Sequence, residues 1–252
     1  MILTLALAAA LASAAPEPAQ MTQAQIEQAQ ASVSLSFTAS NHHVFTEAER
    51  AQIEAIVVRS YAVTKADFPH LPDQVSVRVD PIHRPIVDTL GGVSGRAERP
   101  GEAVLEMSVT YPGGVAAAAE SGLMRAALHE FHHLAHGWTI EDNRFGPGID
   151  TAAAVEGLAE VYSEHYEGSY GTYPALDDAT YAAWAAEVRA LPWNADYGQW
   201  MFSHPDGREA IGYRTGAEMV RRAMARSGLD IIAISAASPE DIWELAGFER
   251  KD

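Results

Sequence analysis

The chain contains no cysteine. That absence removes disulfide frameworks, thiolate metal ligands and cysteine nucleophiles at once. Any chemistry must therefore run on histidine, carboxylates, hydroxyls, lysine or an ion held by nitrogen and oxygen. Basic residues are scarce as well. Seventeen Lys and Arg stand against 34 Asp and Glu, for a formal charge of −17, and the cations are scattered along the chain. A nucleic-acid surface needs grouped cations, so no nucleic-acid partner is expected. Beyond the first residues no segment approaches the ~20 consecutive apolar residues of a membrane-spanning helix. What is present is ordinary globular composition, 48% hydrophobic and 20% charged over 252 residues, enough for a domain with its own core.

Residues 1–15 read MILTLALAAALASAA, an apolar run followed by small residues of the kind signal peptidases accept. The reading is a secretory signal, with the mature chain secreted or periplasmic and without a stable membrane span. No Lys or Arg precedes the apolar run, which leaves open an upstream start or a retained anchor. Residues 16–40 begin with Ala, Gln, Pro and Glu and little to bury, and are expected to be linker or disordered. Residues 41–252 are expected to form one domain.

Within that domain, Thr46 and Glu49 make a capping box, and Ile53, Ile56, Val57 and Tyr61 follow at helical spacing up to Phe68-Pro69. Val75–Val79 and Val104–Val109 alternate as half-buried strands do, with a glycine-rich stretch, Asp88–Arg96, between them. After Pro112-Gly113-Gly114 the chain turns helical from Ala116 to His136, with Gly137 as a stop. Thr151 opens another helix that runs to Glu167, and further helices are expected near 179–190, 208–226 and after Ser238-Pro239. The expected fold class is α+β: a small early mixed sheet, then a metal-binding helix and a mainly helical C-terminal half.

Four of the ten histidines fall in eight residues, His129-Glu-Phe-His-His-Leu-Ala-His136. Within them His129, Glu130 and His133 form His-Glu-x-x-His. Residues four apart share one face of a helix, so two imidazoles can reach a single Zn²⁺ while the intervening Glu stands beside it. A catalytic zinc needs a third protein ligand and one open position. Glu156 is the candidate, because it sits in an otherwise apolar turn, Ala152-Ala-Ala-Val-Glu156-Gly-Leu-Ala-Glu160, where a lone carboxylate is costly unless bound. Gly157 is read as allowing this helix to approach the histidine helix closely. Glu160, on the same face as Glu156, is placed to accept a hydrogen bond from the free ring nitrogen of a ligand histidine.

His-Glu-Phe-His-His, then Glu-Gly-Leu-Ala-Glu, then Gly212-Tyr213-Arg-Thr-Gly216 together resemble a bacterial family of zinc-dependent proteases filed as a domain of unknown function. The ligand pattern is similar to that of the gluzincins, the thermolysin-like metallopeptidases. The likeness spans about Val75 to Phe248. It implies a zincin-like fold, Zn²⁺ held by His129, His133 and Glu156, Glu130 as catalytic base, and a peptide or protein substrate. By the same analogy Tyr213 supplies the oxyanion donor, with His165 and His204 as rivals, and an edge strand in Gly91–Met107 holds the peptide by strand addition. The alternative is a non-catalytic secreted metal-binding module, which would close the fourth position with His132 or His136. No second Glu-x-x-His accompanies the first, as a di-iron bundle requires, and no Gly-x-Ser-x-Gly elbow is present.

Overall fold

Capping chemistry opens the first elements of the chain. Thr22 accepts from the Gln25 backbone amide and Gln25 reciprocates, starting α1 (Gln23–Ser32); Thr46 and Glu49 do the same for α2 (Glu47–Asp67). The computed structural model describes residues 21–168 and 175–251. The expected signal segment, 1–15, lies outside the described residues.

The linker expected over 16–40 gives way, from Gln23 onward, to α1 and then β1 (Val33–Phe37). Two local signals override the polar composition: the capping box at Thr22, and the alternation Val-Ser-Leu-Ser-Phe, which half-buries every second side chain. β1 pairs in parallel with β2 (Val75–Ile82), Val33 opposite Val75. β2 pairs in parallel with β4 (Glu102–Ser108), and β4 pairs antiparallel with β3 (Val93–Arg99). The sheet is thus four-stranded and mixed, in the order β1-β2-β4-β3, with β3 on an edge.

Helices make up the rest, as the sequence suggested. α3 (Gly114–Ala118) runs through a π turn, Ala119–Leu123, into α4 (Met124–His136), which stops at Gly137 in the left-handed region. Every residue of α4 from Arg125 to His136 is buried, because it packs among α2, α5 and the sheet. Its apolar members Leu128 and Phe131 are fully enclosed, and burial of such side chains stabilises by ~1.5–3 kcal/mol each. α5 (Ile149–Glu167) packs on α4 and crosses α8 (Ile211–Ser227). α6 (Asp178–Ala190), α7 (Tyr197–Met201), α9 (Ile231–Ile234) and α10 (Pro239–Ala246) complete the helical half.

The close approach expected at Gly157 exists, but its partner is α8 and not the histidine helix. A Cβ on Gly157 would lie 2.3 Å from the carbonyl carbon of Gly216, and one on Gly216 would lie 1.8 Å from the Ala153 carbonyl oxygen. The two glycines let the backbones of α5 and α8 touch, and that contact sets where the residues just before Gly216 point.

Candidate metal centre

α4 presents His129 and His133 one turn apart on the face toward α5, as i, i+4 geometry requires. α5 answers with Glu156. The His129 and His133 Nε2 atoms lie 2.9 Å apart, and Glu156 Oε2 lies 3.1 Å from the first and 3.2 Å from the second. All three residues are buried, and among the described residues they form a group that can hold a metal ion. The triangle matches the donor set. In a tetrahedral site with bonds of ~2.0–2.1 Å, neighbouring donor atoms are separated by ~3.3 Å. Two imidazole nitrogens and a carboxylate oxygen brought this close, away from water, are a costly arrangement unless a cation or shared protons hold them together.

The electrostatics carry the same signature. Burial alone would lower the His129 pKa, yet the carboxylates of Glu156, Glu160 and Glu130 push it up to about 9. Burial would raise Glu156, yet the His133 and His129 rings hold it well below the usual carboxylate range. The pair therefore favours a separated-charge form, in which the carboxylate is already ionised as a metal ligand must be.

Glu156 is oriented through its other oxygen. Oε1 accepts from Trp138 Nε1 at 2.8 Å and from the Tyr197 hydroxyl at 3.3 Å. Neither donor is among the residues expected from sequence. Trp138 could have been sought from one signal, that a buried carboxylate needs donors and an indole N–H follows directly after Gly137 at the end of the histidine helix. Tyr197 carries no such signal, since it sits in a one-turn helix placed by tertiary contacts.

Glu130 points into the same cleft. Its carboxylate is buried and leaves Oε2 without a hydrogen-bond partner. Burial raises its pKa above the ordinary carboxylate value. It fits only because β3 has no side chain opposite: a Cβ on Gly95 would lie 2.7 Å from Glu130 Cγ and 2.8 Å from Oε1.

Glu160 stands 3.5 Å from His129 Nδ1 and 3.9 Å from an Arg125 guanidinium nitrogen, within reach of both but not hydrogen-bonded to the ring. Tyr213 is half-buried beside Tyr197, and desolvation with the nearby Glu156 charge raises its pKa. Its position follows from its flanking glycines, Gly216 against Ala153 and Gly212 against Met201. The rivals are elsewhere: neither His165 nor His204 lines the cleft, and His204 Nδ1 instead pairs with Asp206 at 2.8 Å. His132 bonds Ser235 Oγ at 3.0 Å, and His136 meets Phe68 edge to face with ring centres 4.7 Å apart. Neither joins the triad.

The cleft holding these groups has a volume of about 1290 Å³ and runs between the exposed edge of β3 and the helical half. Comparisons of the chain with protein-family models, with curated proteins and with solved structures find no match.

Proposed function

We propose that the protein is a zinc-dependent hydrolase that cleaves peptide bonds, with His129, His133 and Glu156 as the metal ligands. The observation that carries this reading is the convergence of two imidazole nitrogens and one carboxylate oxygen in a buried triangle, beside a buried carboxylate with an unpartnered oxygen. Imidazole with carboxylate suits zinc, and three protein ligands leave the open position that catalysis needs. When bound, the ion would polarise a carbonyl and lower the pKa of water.

The chain's own residues take the remaining steps. Glu130 accepts the proton of the attacking water as the oxygen bonds to the carbonyl carbon, and returns it to the nitrogen as the C–N bond breaks. Burial raises its pKa, the direction that helps a carboxylate act as both acid and base. Tyr213 stays protonated, so it can donate to the developing oxyanion, while the Tyr197 hydroxyl is given to Glu156. Glu160 places its negative charge 3.5 Å from His129 Nδ1, on the side of the ring away from the triad. Trp138 keeps one oxygen of Glu156 occupied, so that the other faces the histidines.

The substrate backbone would lie along β3. Ala97 and Glu98 already accept from the Ile140 and Glu141 amides, which leaves the stretch around Gly95, next to Glu130, as the section of edge a peptide would join. The test is a pair of variants assayed on denatured casein with metal content measured in parallel. Glu130→Gln should keep one zinc per chain and lose hydrolysis by ~10²-fold or more, whereas His129→Ala should lose both. A fully active Glu130→Gln protein overturns the mechanism.

A further inference from the structure

Large apolar side chains left in water are concentrated at one place on this molecule. Among the described residues those exposed are Val44, Ile86, Ile140, Trp193, Tyr197, Phe202 and Leu229. Five of the seven, all but Val44 and Leu229, line the cleft that holds the metal triad. Trp193 is 71% exposed, Phe202 56%, and Ile86 and Ile140 66% each. Isolated exposed apolar residues are ordinary on a protein surface, but a grouping around one concave site marks a binding surface.

The grouping is continuous with the metal centre. The Phe202 ring lies 6.0 Å from that of Tyr197 and 6.1 Å from that of Tyr213. Tyr197 in turn touches the ligand Glu156 through its hydroxyl. A ladder of three rings therefore leads outward from the triad, and its outer members have open faces.

The charges in the cleft point the same way. Its arginines are Arg84, Arg96, Arg125, Arg214 and Arg221, and no lysine lines it. Arg84 and Arg96 both bind Glu106, at 2.7 and 2.9 Å, and Arg221 binds Glu164 at 2.6 Å. Arg125 lies 3.9 Å from Glu160, and Arg214 stacks over the Trp184 ring at 4.9 Å. Guanidinium groups already engaged in this way offer little to a substrate carboxylate, and the chain's charge of −17 further disfavours an acidic ligand. The lining, which also carries seven glutamates, thus disfavours an acidic guest and leaves its apolar rim as the contact surface.

From the aromatic ladder, the clustered apolar rim and the engaged guanidinium groups, we infer that the cleft takes an unfolded segment bearing bulky apolar side chains, one of which lies on the Tyr197–Phe202–Tyr213 platform. Phe202 and Trp193 are then the residues that set specificity. The inference rests on the hydrolase reading for what happens to the segment, but not for its binding.

The experiment uses the zinc-loaded, full-length Glu130→Gln protein and two unstructured peptides identical except that Phe and Leu in one are replaced by Glu and Ser in the other. Calorimetry should give ~10-fold or more tighter binding of the Phe/Leu peptide, with a negative heat-capacity change. Phe202→Ala and Trp193→Ala, each added to Glu130→Gln, should shrink that preference below ~3-fold, while Val44→Ser, away from the cleft, should leave it intact. Equal binding of the two peptides, or an undiminished preference in both cleft variants, overturns the inference. Cleavage of both peptides by the wild-type protein at equal rates would also overturn it while upholding the hydrolase reading. Selective binding with no cleavage of either by the wild-type protein sinks the hydrolase reading and leaves the apolar subsite standing.

Discussion

Glu130 owes its place to a hydrogen atom on β3. Adding a methyl group at Gly95 would put carbon 2.7 Å from Glu130 Cγ, and the softest response is for the Glu130 side chain to move, since it is flexible and the strand is not. Gly95→Ala should therefore lower kcat by ~10²-fold, the scale of a ~1 Å misplacement, while zinc content stays at one per chain and Tm changes little. Loss of metal would instead mean the strand had shifted the ligands as well. Trp138 makes the complementary prediction. Without its indole donor Glu156 can rotate, so Trp138→Phe should weaken zinc ~10–100-fold, read by competition with a chelator of known affinity. An unchanged affinity would assign the orientation of Glu156 to Tyr197 alone.

At the scale of elements, the crossing of α5 and α8 joins the ligand helix to the helix that carries Tyr213. A Cβ on Gly216 would lie 1.8 Å from the Ala153 carbonyl oxygen, and neither backbone can yield as a flexible side chain does. Gly216→Ala should thus destabilise by ~1–3 kcal/mol or more in urea unfolding and displace Tyr213 as the helices part. A stability within error of wild type would mean the crossing is looser than its geometry. This crossing also marks how far the sequence could be read. His129 and His133 were legible because a helix places i and i+4 on one face, and Glu156 because an acid in an alanine-rich turn needs a reason to be there. The capping box at Thr46 gave the start of α2 for a similarly local reason. β3 was legible only through the resemblance, which put an edge strand in Gly91–Met107; its own residues show little alternation around Gly95, and its pairing with β4 is a tertiary matter. β1 was hidden behind a polar helix. Tyr197 and the true partner of Gly157 depend on which helices meet, and no local pattern records that.

For the whole molecule, acid should be the weak side of the metal-free protein. Burial, with the His70 and Arg144 charges, lowers the His136 pKa from 6.5 to about 3. The unfolded chain takes up this proton near pH 6.5 and the native chain not until about 3, so the contribution of His136 is fully present above 6.5 and is lost as pH falls toward 3. The slope from this one ring is up to ~1.4 kcal/mol per pH unit. In chelator, urea unfolding of His136→Phe should show a shallower decline between pH 6 and 4, by about one proton, than the wild-type protein. Equal slopes would place the His136 proton in both states alike.

Because a neutral peptide carries no net charge, and the arginines of the cleft already answer to Glu106, Glu164, Glu160 and the Trp184 ring, long-range attraction has little part in its capture. Dissolved ions therefore have little attraction to shield, and kcat/KM on a neutral peptide should change less than ~2-fold between dilute buffer and ~0.5 M sodium chloride. A protein built this way would capture its target at the same pace in fresh water as in brine.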